Sequence, residues 1–235
     1  MTFVQLIDCK TSRVDDMNRL LDAWVEATRG KRTATHALVG RDRSSSNHVV
    51  EIVEFPSYEE AMRNSNLPET DRIFQEMVAL CDEMPQFTDL DVVRDEQLNK
   101  GTARKVFEEV LSTRDYAALE DHFHQDYVEH DPANPTGDLH GLEEARENLR
   151  EQLDPFEPRF TVLGAAADGD LVSLRFQAVG RHVGPFMGIE ATGRDFTLTG
   201  HVTFRFQDGK IAESWFNWDN ARLLADIGLV DMPRP

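Results

Sequence analysis

The sequence predicts an α+β chain of two domains, and three observations carry that expectation. Its 235 residues exceed the roughly 100–150 of a usual single domain. Residues 1–95 alternate strand-like and helix-like patterns in the order β-α-β-β-α-β. Beyond residue 101 the order becomes helices followed by a run of strands, an α+β pattern. The polar, glycine-ended stretch "RDEQLNKG" at 94–101 reads as the linker, giving expected domains of 1–97 and 98–235.

In the first domain "TFVQLID" alternates like a strand. "VDDMNRLLDAWVEATRG" places Val14, Met17, Leu20, Leu21, Trp24 and Val25 at helical spacing, with Gly30 as its stop. Trp24 and Met17 share that stripe, which is a core pattern before it is a cofactor contact. "RTATHALVGRD" and "NHVVEIVEF" read as two strands around the polar loop "RDRSSSN". "SYEEAMRNS" opens on a Ser-x-x-Glu capping box. A further helix, "PETDRIFQEMVALCDEM", carries proline in its first turn, and "FTDLDVV" closes the unit as a strand.

In the second domain "ARKVFEEVLSTRDYAALEDHF" reads as two helices broken near Thr113–Asp115. "YVEHDPANPTGD" reads as a proline-rich loop, and "GLEEARENLREQLDPF" as a helix halted before Pro155. Four strands are expected in "RFTVLGAAA", "LVSLRFQAVGRH", "DFTLTGHVTFRF" and "KIAESWFNWD", then a short helix "NARLLADIGL". The Asp-Gly at 208–209 is a hairpin signal. The strand after it sets Glu213, Trp215, Asn217 and Asp219 on one face, mixing apolar and polar on both sides. Such a strand either lies at a sheet edge or lines a pocket.

Charge and composition exclude several partner classes. Against 25 Lys and Arg stand 43 Asp and Glu, a net −18, which argues against nucleic acid and anionic membranes. Both halves are acidic, at −8 and −10 about a cut after residue 98. No segment approaches the ~18 apolar residues of a membrane span, and the N-terminus lacks a signal-peptide pattern. Cys9 and Cys81 stand far apart without a CxxC, so neither a disulfide framework nor a zinc site is suggested. A soluble, cytoplasmic protein with small buried thiols is the expectation.

The β-α-β-β-α-β order is the split βαβ arrangement of ferredoxin-like domains. It resembles the dimeric α/β-barrel superfamily, which includes small polyketide monooxygenases; that resemblance is one of element order alone. The second half resembles the SnoaL-like polyketide cyclase and ester cyclase family, over roughly residues 101–230. The residues that carry it are "YVEHDP", "GLEEARENL", the Gly-x-Phe-x-Gly-x-x-x-Thr-Gly-Arg run at 184–194, and Asp-Gly-Lys-Ile-x-Glu-x-Trp-x-x-x-Asp at 208–219. The resemblance implies a cone-shaped α+β barrel of the ketosteroid isomerase type.

It also implies that Asp219 faces the cone's interior as general acid/base, with Trp215 as a wall of the same cavity. His201 and His182 are the further catalytic candidates. Val202, Phe204 and Phe206 share one face of their strand and His201, Thr203 and Arg205 the other, so His201 faces either the pocket or solvent. In "GRHVG" Arg181 stands where the family often has threonine. His130 is implied at the cavity mouth, and Tyr127, Phe186, Met187, Asn217 and Arg205 complete the expected substrate-binding set. A carboxylate in an apolar cone is raised toward a useful base by desolvation, and no metal or cofactor is implied.

Plainer roles compete with each of these. Asp219 before "NARLL" suits a helix N-cap, His130–Asp131 suits turn chemistry, and histidines such as His182 and His201 are more often satisfied or solvated than catalytic. Three functions are open to such a chain: a cofactor-free cyclase or isomerase acting on a hydrophobic polyketide-like carbonyl compound, a non-catalytic small-molecule binding module, or a bifunctional oxygenase-cyclase. A homodimer is the expected assembly.

Overall fold

The computed structural model describes residues 2–95, 97–134 and 137–231. Residue 96 of the expected linker and residues 135–136 of the expected proline-rich loop lie outside the described residues. The chain divides into two compact units, 1–95 and 96–235.

The first unit runs β1 (Phe3–Lys10), α1 (Val14–Ala27), β2 (His36–Arg41), β3 (His48–Phe55), α2 (Tyr58–Ser65), α3 (Pro68–Leu80) and β4 (Gln86–Asp91). Its strands form one antiparallel sheet in the order β2-β3-β1-β4. Local chemistry sets the helix ends. Ser57 Oγ accepts from the Glu60 amide at 3.3 Å, Pro68 opens α3, and Gly30 takes φ +75° beyond α1, where a side chain would be strained. Phe3, Ile7, Cys9, Val53 and Phe55 on one sheet face pack with Met17, Leu20, Ile73 and Met77 of the helices. The opposite face presents Leu38 and Leu90, 53% and 41% exposed, beside the half-buried Val4, Leu6, Val50 and Ile52.

The second unit begins with α4 (Leu98–Lys105), so a helix occupies residues expected to be linker. Gln97 O receives the Gly101 amide at 2.9 Å, and tertiary packing of Ala103 in the core overrides the local cost of a helical glycine. The helix continues as a π-helical segment, Val106–Leu111. Ser112 Oγ donates to the Phe107 carbonyl (3.0 Å) and accepts from the Phe160 amide (2.9 Å). Then come α5 (Leu119–His122), β5 (Phe123–His130), β6 (Leu139–His140), α6 (Leu142–Leu153), β7 (Arg159–Asp168), β8 (Leu171–Arg181), β9 (Asp195–Gln207), β10 (Lys210–Trp218) and α7 (Asn220–Asp226).

The sequence pattern predicts four strands in this unit, and among the described residues the sheet has six, ordered β6-β5-β10-β9-β8-β7. The additions are β6 and β5, the latter "FHQDYVEH", which the sequence pattern divides between a helix end and a loop. β10 is a central strand, parallel to β5 and antiparallel to β9, so it is neither an edge nor unpaired. Val172, Leu174 and Phe176 of β8 alternate inward with Leu198, Val202 and Phe204 of β9, as one buried face requires. Phe107 stands at the centre of the core, its ring 4.6–6.5 Å from those of Phe160, Phe176, Phe204 and Phe216.

Two backbone details decide which side chains reach the interior of this unit. One extra residue, Ala212, bulges β10 between Ile211 and Glu213. After it the inward residues are Ser214, Phe216 and Trp218. Between β8 and β9 a long loop closes on itself, His182 and Arg194 pairing through their backbones. At Gly228 (φ +85°) a Cβ would overlap the Arg194 guanidinium.

Candidate active site

Inside the cone of helices and sheet one carboxyl stands among apolar walls. Tyr127 and Glu129 are two apart on β5, so both point inward, and Glu129 is only 4% exposed. Ser214 lies opposite Glu129 on β10. Tyr127 Oη donates to Glu129 Oε2 at 3.0 Å and lies 2.5 Å from Ser214 Oγ. Tyr127 has one proton; given to Glu129, it leaves Ser214 to donate to the phenol, a relay of two hydroxyls ending on the carboxyl. Asn148 Nδ2 of α6 reaches Glu129 Oε1 at 3.5 Å.

Burial pushes the Glu129 carboxyl up to about 7, and the Tyr127 hydrogen bond opposes that rise without cancelling it. Burial, then the Glu129 charge, hold the Tyr127 phenol protonated. Phe107, Phe123, Phe204, Phe216 and Leu149 enclose a cavity here of about 10 Å³, room for about one water. A carboxyl that titrates near neutrality beside a proton donor in an enclosed apolar site is the equipment of acid/base catalysis. Among the described residues no group of His, Cys, Asp and Glu could hold a metal ion.

The structure scatters the candidates expected from sequence over three places. Tyr127 alone joins the interior. His130, Trp215, Asn217, Arg205 and His201 lie on the outer face of the sheet. His130 bonds Glu213 (2.9 Å) and Asp138 (2.8 Å), Arg205 bonds Glu213 at 2.7 Å, and His130 stacks on Trp215 with ring centres 5.4 Å apart. The Glu213 bond, ahead of Asp138, raises the His130 pKa. His130 therefore sits in an ion network away from the interior cavity, and Trp215 is no wall of that cavity. His201 is exposed, opposite Asn217.

Asp219 does not face the interior. It is exposed and caps α7, accepting the Arg222 amide at 3.1 Å. The physical reason is the Ala212 bulge. Ile211 points inward, so an unbroken alternation would carry Glu213, Trp215 and Asn217 inward with it; the extra residue reverses that. His182 is buried at the base of the long loop, its Nδ1 accepting from the Thr192 amide (3.2 Å) and its ring stacked on Phe156 at 5.1 Å. Phe186 packs edge-on against Phe156 at 4.8 Å. Met187, 74% exposed, borders with it an open cleft of about 500 Å³ against Arg150, Gln152 and Pro155.

Sequence reasoning missed Glu129 and Ser214. The available signal was the i, i+2 pair of Tyr127 and Glu129, visible once "FHQDYVEH" is read as a strand.

A six-stranded sheet packed with helices over an ionisable carboxyl defines an α+β unit with an acid in its interior; no helix among the described residues is long and apolar enough to cross a membrane. The SnoaL-like polyketide cyclase family matches residues 101–227, and the chain belongs to it. Solved structures agree. TsrD from Streptomyces laurentii is 25% identical, with a TM-score of 0.51, over 58% of this chain and 100% of its own. IdmH from Streptomyces antibioticus, a proposed polyketide cyclase, is 30% identical with a TM-score of 0.50, over 57% and 99%. AclR from Streptomyces galilaeus, a proposed hydroxylase, shares the fold at 23% identity and a TM-score of 0.51, over 57% and 97%. Comparison with curated proteins gave no significant match.

Proposed function

We propose that the second unit performs cofactor-independent acid/base chemistry, a cyclisation or isomerisation, on a hydrophobic, carbonyl-bearing compound of polyketide type. Family membership supports the reaction class. The observation that carries the residue assignment is the Glu129 carboxyl, buried among aromatic rings and held near neutrality. Ionised Glu129 removes a proton α to a carbonyl and, once protonated, no longer needs the Tyr127 hydrogen bond, so the phenol turns its one proton to the enolate oxygen that forms while Ser214 donates to the phenol. In a cyclisation the enolate carbon attacks a second carbonyl of the same molecule, and the new alkoxide takes the proton back from Glu129. The protons removed are already acidified by adjacent carbonyls, so the step needs no cofactor.

A second reading rests on the filled interior. Ligand pockets run to roughly 300–1,000 Å³, far above the 10 Å³ beside Glu129. A structural or binding module without chemistry fits a cone that stays closed. Turnover requires the wall to yield, and the π-helical segment that supplies Val106, Phe107 and Leu111 to the cavity is its irregular part.

One experiment separates them. The purified chain is screened against aromatic polyketide methyl esters, and Glu129→Gln and Tyr127→Phe are compared on any substrate turned over. Loss of about 10²–10⁴ in turnover for Glu129→Gln, with the fold intact, is the expected result. Full activity of that variant would remove Glu129 from the mechanism.

For the first unit we propose the ferredoxin-like dimeric role. The antiparallel order β2-β3-β1-β4 and the apolar sheet face bearing Leu38 and Leu90 support a homodimer formed through that face.

A further inference from the structure

Cys9 and Cys81 are 72 positions apart in sequence, and the fold of the first unit sets them side by side. Cys9 lies on β1, facing the helices and buried. Cys81 is the residue at which α3 ends, and it is half-buried. Backbone contacts fix the two segments on either side of the pair. The Asp82 amide donates to the Lys10 carbonyl at 2.7 Å, and Thr11 Oγ1 donates to the Leu80 carbonyl at 2.7 Å. Between these two bonds the half-buried Cys81 side chain packs against the core cluster that contains Cys9. A disulfide needs adjacent backbones with converging side chains, and these two bonds hold the two backbone segments side by side.

We propose that Cys9 and Cys81 form a reversible redox latch, closed by a peroxide, that ties the C-terminal end of α3 to β1. The accessibility difference assigns the order of events. The partly exposed Cys81 thiolate attacks one oxygen of hydrogen peroxide and becomes a sulfenic acid, with the other oxygen leaving as water after protonation. The Cys9 sulfur then attacks the Cys81 sulfur, and the sulfenic hydroxyl leaves as a second water. Two thiols and one peroxide become one disulfide and two waters, and a dithiol reductant reverses the step. Burial raises both thiols above their ordinary value, and Glu51, Asp8 and Asp82 add to this while Arg13 opposes it at Cys81. Closure is therefore slow at neutral pH, and it quickens in alkali as the Cys81 thiolate appears.

The test uses the full chain treated with hydrogen peroxide. Expected are loss of both titratable thiols, an intact mass lower by two hydrogens, a peptide joining Cys9 to Cys81, and a rise of several degrees in the melting of the first unit that a dithiol reductant abolishes. Cys81→Ser, at a partly exposed position, keeps the fold and cannot close the latch, so its melting should not respond to peroxide. Chains linked to one another, thiols that gain oxygen without pairing, or thiols that stay free in the folded protein would each overturn the proposal.

Discussion

Replacing Glu129 with glutamine tests the interior carboxyl through stability alone, without any substrate. Glutamine keeps the size and can still accept the Tyr127 hydrogen bond, yet it never ionises. The carboxyl is held at about 7 against an ordinary 4.5, so the folded state binds its proton more tightly than the unfolded chain does. Stability from this group is therefore full below about pH 4.5, falls as pH rises through that range, and levels off above about pH 7. The size comes from 2.5 pH units at 1.36 kcal/mol each, or about 3 kcal/mol. Burial of 4% exposure leaves little solvent to screen it.

Glu51 in the first unit is buried on the helix-facing sheet face and is likewise pushed to about 7, so the comparison is made in a Glu51→Gln background. Urea unfolding at pH 5 and pH 8 should show Glu129→Gln losing less stability across that range than its parent, by about 2–3 kcal/mol, and exceeding it at pH 8. The raised His130 also loses its contribution as pH climbs through its folded pKa, but it does so in both proteins and cancels. Equal pH slopes with and without Glu129 would refute the buried-acid argument.

Two further outcomes are expected. Asp219→Asn should leave activity and melting almost unchanged, because asparagine caps as well as aspartate, while Asp219→Ala should cost about 1 kcal/mol in urea unfolding; a turnover loss of a hundredfold in the Asn variant would restore Asp219 as the base. Light scattering at micromolar concentration should give twice the chain mass, and Leu38→Lys on the open sheet face should shift it toward the monomer; a wild-type monomer would overturn the dimer proposal.

The first unit was legible because its punctuation is local: the Ser57 capping box, Pro68 and Gly30 mark helix ends by chemistry within a turn. The second unit's strands β7 to β10 were legible from alternation, and the family resemblance from the loop and last hairpin. β5 was not, since Gln125, Asp126 and Glu129 give it no apolar stripe and prolines come after it. Its strand character comes from pairing with β10, which no local pattern records. The interior placement of Asp219 and Trp215 came from the family resemblance and not from the strand's own pattern, which is mixed on both faces; Ala212 adds a residue after the inward Ile211, so Glu213, Trp215 and Asn217 lie on the outer face. A bulge is a property of two strands in register and leaves no mark in one of them. The thiol pair was hidden in the same way, by sequence distance that the fold removes.

Gly228 bears on how this chain can change. The Arg194 guanidinium that lies over it is the end of an exposed, flexible side chain and can swing aside, so it is the backbone, at φ +85°, that holds position 228 to glycine. A side chain there would strain the turn that ends α7 even in a protein whose long loop had been exchanged. Variation in that loop is therefore free to proceed without a matching change at 228, whereas the turn itself tolerates little.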